Sequence, residues 1–232
     1  MRIFLNDRVV EFVANTPSNP LPTDMIAEYR DAGKLEETWL DFERYDQYRK
    51  LFVVDRSAEP GIGEPGNQQL TLSDPGSLPS FRDFTTFFKY IPAAGGLVKN
   101  EKGEYLFIHR LGFWDLPKGK IDKKDLLNSG MTIHDPGAAR IAAIREVTEE
   151  TGIKTVSITG NLPSTWHIYT AKEKRVLKQT IWFQMEGDSS EALKPQTSEG
   201  IFLVKWTPIN AIHCILTHTY ASIRELLLEV VF

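Results

Sequence analysis

The sequence predicts an α/β protein, and two observations carry that prediction. From Phe81 onwards, apolar segments typical of strands alternate with stretches of helical spacing. Upstream, the densest run of proline, glycine and serine in the chain, over 56–80, separates a shorter N-terminal part from the rest. We therefore predict a small α+β region over 1–55, a linker or long loop over 56–82, and an α/β domain over 83–232.

The N-terminal region begins with a pattern typical of a hairpin. Two short runs, Ile-Phe-Leu at 3–5 and Val-Val-Glu-Phe at 9–12, are joined through the turn-prone pair Asn6-Asp7. Two helices are predicted next, near 22–32 and 36–50. In the second, aromatic residues recur at roughly helical spacing, which we interpret as a packing surface: Trp39, Phe42, Tyr45 and Tyr48.

The C-terminal domain is predicted to contain six strands and two helices. The helices lie near 136–151 and 209–229. The predicted strands lie at 88–99, 104–110, 154–160, 164–171, 175–186 and 201–207.

The composition is that of a soluble globular protein. Of 232 residues, 41% are hydrophobic and 25% charged, which excludes collagen, a fully disordered chain and a disulfide-stapled small protein. No apolar run approaches the ~18 residues of a membrane span, and the start turns polar too soon for a signal peptide. The single cysteine, Cys214, excludes an intrachain disulfide and fits a reducing compartment. We expect a cytoplasmic protein with no membrane partner.

The charge balance limits how this protein can hold an anionic substrate. A formal net charge of −4 provides no global basic field, so we expect no binding to a nucleic acid duplex. An anionic substrate then requires local cations or a metal.

The helix predicted over 136–151 has both of its ends marked in the sequence. Asp135 is a good N-cap, Pro136 suits the first helical position, and Gly152 suits the left-handed position after the helix. Three carboxylates project from one face, because Glu146, Glu149 and Glu150 stand at i, i+3 and i+4. Such clustering opposes helix stability but suits a hard divalent cation such as Mg²⁺, which takes carboxylate oxygens. A solvated acidic face is the other interpretation of this helix taken alone.

Two segments together resemble the signature of the Nudix hydrolase family. They are 116–120, with the sequence Leu-Pro-Lys-Gly-Lys, and 145–153, with the sequence Arg-Glu-Val-Thr-Glu-Glu-Thr-Gly-Ile. The second segment matches the signature at every defined position. In the first half, five residues lead from Gly119 to Asp125 rather than to a glutamate, and an insertion of twelve residues stands around Leu126–Gly137. We assign no catalytic role to Asp125 or Asp122.

The resemblance covers roughly residues 83–230 and implies an α/β/α sandwich with a mixed sheet. The implied activity is hydrolysis of a pyrophosphate bond in a nucleoside diphosphate linked to another moiety, with Mg²⁺ or Mn²⁺ as cofactor. By position, Glu149 and Glu150 would be metal ligands, and Glu146 a further ligand or the base that deprotonates water. Arg145 would orient these glutamates, and the backbone carbonyl of Lys118 would add a metal ligand.

Further candidate residues lie outside the signature. Glu199, in the loop before the last predicted strand, is a candidate catalytic or metal-binding residue, although an ordinary loop glutamate is the alternative. The segment 114–120 resembles the corresponding loop of diadenosine-polyphosphate hydrolases, and Tyr169 follows Gly152 at the distance where those enzymes carry a tyrosine. Candidate substrate-binding residues are Arg110, Lys118, Lys120, Trp114 and Tyr169, with His109 as a further phosphate contact.

The leading hypothesis is therefore a metal-dependent pyrophosphohydrolase acting on a small nucleotide. A diadenosine polyphosphate or an ADP-ribose-like compound is the favoured substrate. The alternative is a non-catalytic Nudix-like nucleotide-binding regulatory module, with residues 1–55 as an interaction region. Association into a homodimer is left open.

Overall fold

The computed structural model describes residues 1–58, 78–126, 131–133 and 135–232. Two compact units emerge, one from Met1–Tyr90 with Trp166–Leu177 and the other from Ile91–Thr165 with Lys178–Phe232. The units are discontinuous in sequence, unlike the predicted division into 1–55, 56–82 and 83–232. Most of the predicted linker, and residues 127–130 and 134 of the predicted insertion, lie outside the described residues.

Among the residues that the structure describes, the first unit contains four strands of its own and two α-helices. Its strand order is β9-β1-β2-β4-β3, where β9 is a strand shared with the second unit and the pairs β2/β4 and β3/β4 are parallel. The bounds are β1 Arg2–Leu5, β2 Arg8–Val13, β3 Asp24–Glu28, α1 Ala32–Arg44, β4 Lys50–Val54, α2 Pro79–Thr85 and β9 Val156–Ala171.

Aromatic residues fill the core of this first unit. Trp39 and Phe42 of α1 are fully buried, and Trp39 meets Phe84 of α2 edge to face at 5.3 Å. The interpretation of the aromatic stripe as a packing surface is confirmed for these two residues. Tyr45 is 48% exposed because α1 ends at Arg44 and Tyr45 is its C-cap.

The predicted hairpin is confirmed, since β1 and β2 pair in antiparallel register from Arg2 opposite Glu11 to Leu5 opposite Arg8. The helix predicted near 22–32 is wrong, because Asp24–Glu28 forms β3 beside β4. Met25 and Ala27 pack against the core while Ile26 is 38% exposed, which is the two-residue period of a strand. The helix predicted over 36–50 ends early because 50–54 pairs with both β2 and β3.

The second unit contains a sheet with helices on both faces. The strand order is β11-β6-β5-β10-β9, with β7 beside β6 and β8 beside β5. The remaining bounds are β5 Lys89–Lys99, β6 Tyr105–Arg110, β7 Phe113–Asp115, β8 Lys118–Lys120, α3 Pro136–Thr151, β10 Lys174–Gly187, β11 Ile201–Thr207, α4 Ile212–Thr217 and α5 Ala221–Val230.

Alternate residues of the strands pack on opposite faces of this sheet. Leu106 and Ile108 join the core under α3, whereas the intervening Phe107 joins the core under α4 and α5. The predicted α/β class with a mixed sheet is confirmed. Among the described residues, no helix combines the length and the apolar character needed to cross a membrane.

Two element boundaries differ from the prediction in this unit. The strands predicted at 154–160 and 164–171 are one continuous strand, β9. The helix predicted near 209–229 divides into α4 and α5, because the carbonyl of His218 accepts a hydrogen bond from the Trp114 backbone N–H at 2.9 Å instead of continuing a helix.

Candidate active site

Helix α3 carries the acidic cluster and is held close to the sheet by small residues. Its buried stripe consists of Ala138, Ala139, Ala142, Ala143 and Val147. The helix ends at Gly152, whose φ of 83° is the left-handed conformation that favours glycine. Both predicted helix ends are therefore confirmed, and the last turns of α3 present the glutamates toward strand β8.

Glu150 is the most deeply buried of the three glutamates. Its side chain is 0% exposed, and Oε2 accepts a hydrogen bond of 2.8 Å from the backbone N–H of Lys118. Within the described residues Oε1 makes no hydrogen bond, and the guanidinium of Arg110 stands 3.8 Å from it. Burial raises the pKa of Glu150 to about 8. A buried carboxylate oxygen without a hydrogen bond costs free energy, and a bound cation or a proton on the carboxyl group would remove that cost.

Glu146 lies against Gly119, and this contact explains why a glycine stands there. A Cβ on residue 119 would come within 2.1 Å of the Glu146 carboxyl carbon, so only glycine leaves room for the carboxylate. Arg145 Nη1 is 2.6 Å from Glu146 Oε1. Burial also raises the pKa of Glu146, and the ion pair with Arg145 opposes that shift.

Arg145 joins the acidic helix to the preceding loop. Its Nη1 also binds Glu149 Oε2 at 2.8 Å, and its Nη2 donates to the carbonyl of Lys120 at 3.0 Å. Glu149 is the most exposed of the three glutamates, with 39% of its side chain accessible. The expectation that Arg145 orients the glutamates agrees with these contacts to Glu146 and Glu149.

Arg110 links the helix to Glu199. Arg110 lies at the end of β6, and its Nη1 is 3.6 Å from Glu199 Oε2 as well as 3.8 Å from Glu150 Oε1. Glu199 lies on a short 3-10 turn, Thr197–Glu199, immediately before β11. The structure therefore brings together Arg110, Glu150 and Glu199, which are widely separated in sequence.

Sequence reasoning missed two charged residues beside the cluster. Asp115 is buried and forms an ion pair with the ammonium of Lys118. The ammonium of Lys118, a predicted substrate-binding group, is therefore already paired with a carboxylate of the protein. Lys178 is half-buried on β10, and burial, followed by the charge of Lys118, lowers its pKa to about 8. The sequence gives little signal for Lys178, because β10 mixes charged, polar and apolar residues.

Comparison with known proteins decides the family. A family model described as the NUDIX domain matches residues 89–229. The chain belongs to the Nudix family. It is therefore a Nudix pyrophosphohydrolase that acts on small nucleotide derivatives, and the resemblance stated from the sequence is confirmed.

Solved structures similar to this chain include a MutT protein and an Ap4A hydrolase. The MutT protein from Methanosarcina mazei Go1 is 26% identical with a TM-score of 0.42, and the match covers 61% of this chain and 93% of that one. An Ap4A hydrolase from C. elegans, in a binary complex, is 23% identical with a TM-score of 0.43, covering 60% and 93% respectively. No curated protein matches the chain.

Nudix enzymes generally use divalent metals, and the residues on α3 fit one. Glu146, Glu149 and Glu150 supply hard oxygen donors, and the Oε1 atom of Glu150 is buried without a hydrogen bond in the described structure. In the part of the chain that the structure describes, no three His, Cys, Asp or Glu side chains already stand as a metal cage. Arg145 explains this, because it holds Glu146 and Glu149 in ion pairs while Glu150 turns to Lys118.

The remaining candidate substrate residues of this Nudix enzyme are divided between the two units. Trp114 is half-buried, lies 5.0 Å from His109 edge to face, and packs on the core under α4 and α5. Lys120 is exposed. Tyr169 lies in the first unit, where its ring stacks on His167 at 5.5 Å. Contact of these residues with substrate stays a prediction, as does metal binding by the carbonyl of Lys118.

Proposed function

We propose that this enzyme hydrolyses, with Mg²⁺ or Mn²⁺, the pyrophosphate bond of a nucleoside diphosphate linked to another moiety. An adenine-containing compound, either a diadenosine polyphosphate or an ADP-ribose-like molecule, is the favoured substrate. The observation that carries the proposal is the buried pair Glu146 and Glu150, whose pKa values burial raises. Glu146 packs against Gly119 of the preceding loop, and Glu150 accepts a hydrogen bond from the backbone N–H of Lys118.

The chain's own residues account for most of the proposed reaction. An attacking water forms a bond to one phosphorus, the bond from that phosphorus to the bridging oxygen breaks, and the bridging oxygen leaves with its electron pair on the other phosphate. Glu146 accepts the water proton, and a raised pKa makes a carboxylate a better base near neutral pH. Arg110 compensates phosphate charge, while Arg145 fixes the orientation of Glu146.

Glu149 and Glu150 would hold the metal, with Glu146 as a further ligand if it is not the base. Glu199 stands across Arg110 as a further catalytic or metal-binding carboxylate. The metal would neutralise diphosphate charge and lower the pKa of water. Lys120 would contact the phosphates. Lys118 would join it only when its ammonium leaves Asp115, because the two form an ion pair.

A substrate panel with site variants tests the proposal. Diadenosine tetraphosphate, ADP-ribose and nucleoside triphosphates are incubated with Mg²⁺ or Mn²⁺, and the products are separated by chromatography. Glu146→Gln and Glu150→Gln should each lower kcat at least a hundredfold. Glu229→Gln, which removes an exposed carboxylate from α5, should retain wild-type activity. Nucleotide binding without turnover of any compound would instead favour the non-catalytic alternative.

The favoured adenine substrate has a separate test in Tyr169. If its ring stacks on a base, Tyr169→Ala should raise KM roughly ten- to a hundredfold, from ~1–3 kcal/mol of lost stacking, with kcat nearly unchanged. Tyr45→Ala, in the same unit and 48% exposed, is the matched control. An unchanged KM for Tyr169→Ala removes this residue from the site.

A further inference from the structure

Two aromatic rings from distant parts of the chain stack beside the catalytic cluster. Phe113 of β7 and Tyr220, which precedes α5, have ring centroids 5.1 Å apart with an angle of 29° between their planes. Both remain accessible, at 45% for Phe113 and 38% for Tyr220. We name the flat surface formed by these two rings the aromatic platform. Exposed aromatic rings of this kind offer a face on which a planar ligand can stack.

The platform lies next to the groups that handle the phosphates. Phe113 is directly opposite Arg110 in the β6/β7 register, so their side chains are neighbours. Arg110 in turn contacts Glu150 and Glu199. Burial raises the pKa of Tyr220, and the charges of Asp115, Lys118 and Arg110 act on it next. Asp115 and Lys118 also influence Glu150, and Arg110 stands 3.8 Å from its Oε1.

Backbone contacts fix the platform before any ligand arrives. The N–H of Trp114 donates to the carbonyl of His218 at 2.9 Å, and the hydroxyl of Thr219 donates to the carbonyl of Trp114 at 2.7 Å. These bonds join the residues that follow Phe113 and precede Tyr220. Because these bonds hold both ring-bearing segments in place, the platform loses little conformational entropy when a flat ligand binds.

We infer that the aromatic platform of Phe113 and Tyr220 binds the nucleobase of the substrate whose pyrophosphate lies at Arg110 and the α3 glutamates. The inference rests on the proposed function for the position of the pyrophosphate. Stacking requires only a planar ring, so the platform selects nucleoside-linked pyrophosphates over pyrophosphates without a base and accepts different bases. It is independent of Tyr169, which lies in the other unit.

The first experiment measures binding without turnover. AMP and ribose 5-phosphate differ only in the base, and each is titrated into the metal-free enzyme by calorimetry or NMR. Wild-type enzyme should bind AMP at least tenfold more tightly than ribose 5-phosphate. Tyr220→Ala and Phe113→Ala should each lower this ratio of affinities toward one, and Tyr220→Phe should keep it because the aromatic ring is retained. Phe202→Ala, an exposed aromatic on β11, is the matched control and should keep the wild-type ratio.

The outcomes separate this inference from the proposed function. Equal binding of AMP and ribose 5-phosphate to the wild type, or an unchanged ratio in a folded Tyr220→Ala and a folded Phe113→Ala, overturns the platform. A ratio that depends on the two rings, in an enzyme that hydrolyses no nucleotide of the panel, supports the platform and refutes the proposed hydrolysis. If the enzyme hydrolyses ADP-ribose, Tyr220→Ala should raise KM for this substrate ten- to a hundredfold and leave kcat within about threefold of the wild-type value.

Discussion

The buried carboxyl of Glu150 should make the metal-free enzyme less stable as pH rises. Folding raises the pKa of this group from an ordinary 4.5 to about 8. The folded state therefore binds the proton more tightly than the unfolded state does. Proton binding by Glu150 therefore stabilises the folded state; this contribution to the free energy of unfolding is complete below about pH 4.5 and is lost as the pH increases toward 8. This is opposite in sign to the behaviour of a carboxylate stabilised by an ion pair.

The size of the effect follows from the two pKa values. One pKa unit corresponds to about 1.4 kcal/mol, so at pH 7 the group lowers the free energy of unfolding by about 3 kcal/mol relative to a neutral side chain. Glu150→Gln keeps the shape and an oxygen acceptor for the Lys118 N–H but does not titrate. The variant should therefore match wild type near pH 4 and exceed its stability by about 3 kcal/mol at pH 7.

Urea unfolding in EDTA from pH 4 to 8, with hydrogen exchange of α3 peptides to isolate the second unit, measures this difference. Glu149→Gln is the control on the same helix. Its 39% exposed side chain should shift stability by less than about 1 kcal/mol. Millimolar Mg²⁺ should stabilise wild type more at pH 8 than at pH 6, because metal ligation requires the ionised carboxylate. Parallel pH profiles for wild type and Glu150→Gln would refute the reasoning.

Two further predictions test the packing of each unit. Gly119→Ala places a methyl group within 2.1 Å of the Glu146 carboxyl carbon and should lower kcat at least tenfold at a stability cost of ~1–3 kcal/mol. Gly160→Ala, whose added methyl group would have its nearest neighbour 3.6 Å away, should leave kcat unchanged. Equal rates for the two variants would contradict the need for a glycine beside Glu146. In the first unit, Arg8→Met removes a buried guanidinium that donates to four backbone carbonyls at and just beyond the end of α1, so urea unfolding should show a loss of ~1–3 kcal/mol. The control Arg2→Met, from an exposed pair with a glutamate, should cost under about 1 kcal/mol, and a similar loss in both would contradict the role of the buried bonds.

The elements that the sequence predicts correctly are those whose signals are local. Helix α3 has its N-cap, its first-turn proline and its C-terminal glycine at or directly beside its own ends, so both bounds follow from the sequence. Strand β3 has no such signal. Its five residues form a strand because β4 pairs with them in parallel register, and β4 lies beyond an intervening helix. Tertiary pairing of this kind overrides local propensity.

The candidate site divides in the same way. The spacing of Glu146, Glu149 and Glu150 is a property of one helix, and the sequence shows it directly. Burial of Glu150 is not local, because the backbone of Lys118 closes over it from a segment 32 residues away. Phe113 and Tyr220 are separated by more than one hundred positions, and no sequence pattern relates them before the fold brings their rings together.

The interrupted signature shows why an insertion need not disturb such a site. Three contacts join the loop to α3 directly: Lys118 N–H to Glu150, Lys120 carbonyl to Arg145, and the space left by Gly119 for Glu146. Each contact fixes a loop residue against a helix residue, and none runs through the residues between them. The segment that connects Lys120 to α3 can therefore be longer at a small entropic cost, because the free energy of loop closure depends only weakly on loop length. What the site requires is the contact geometry at the two ends, and both ends of the signature keep the residues that make it.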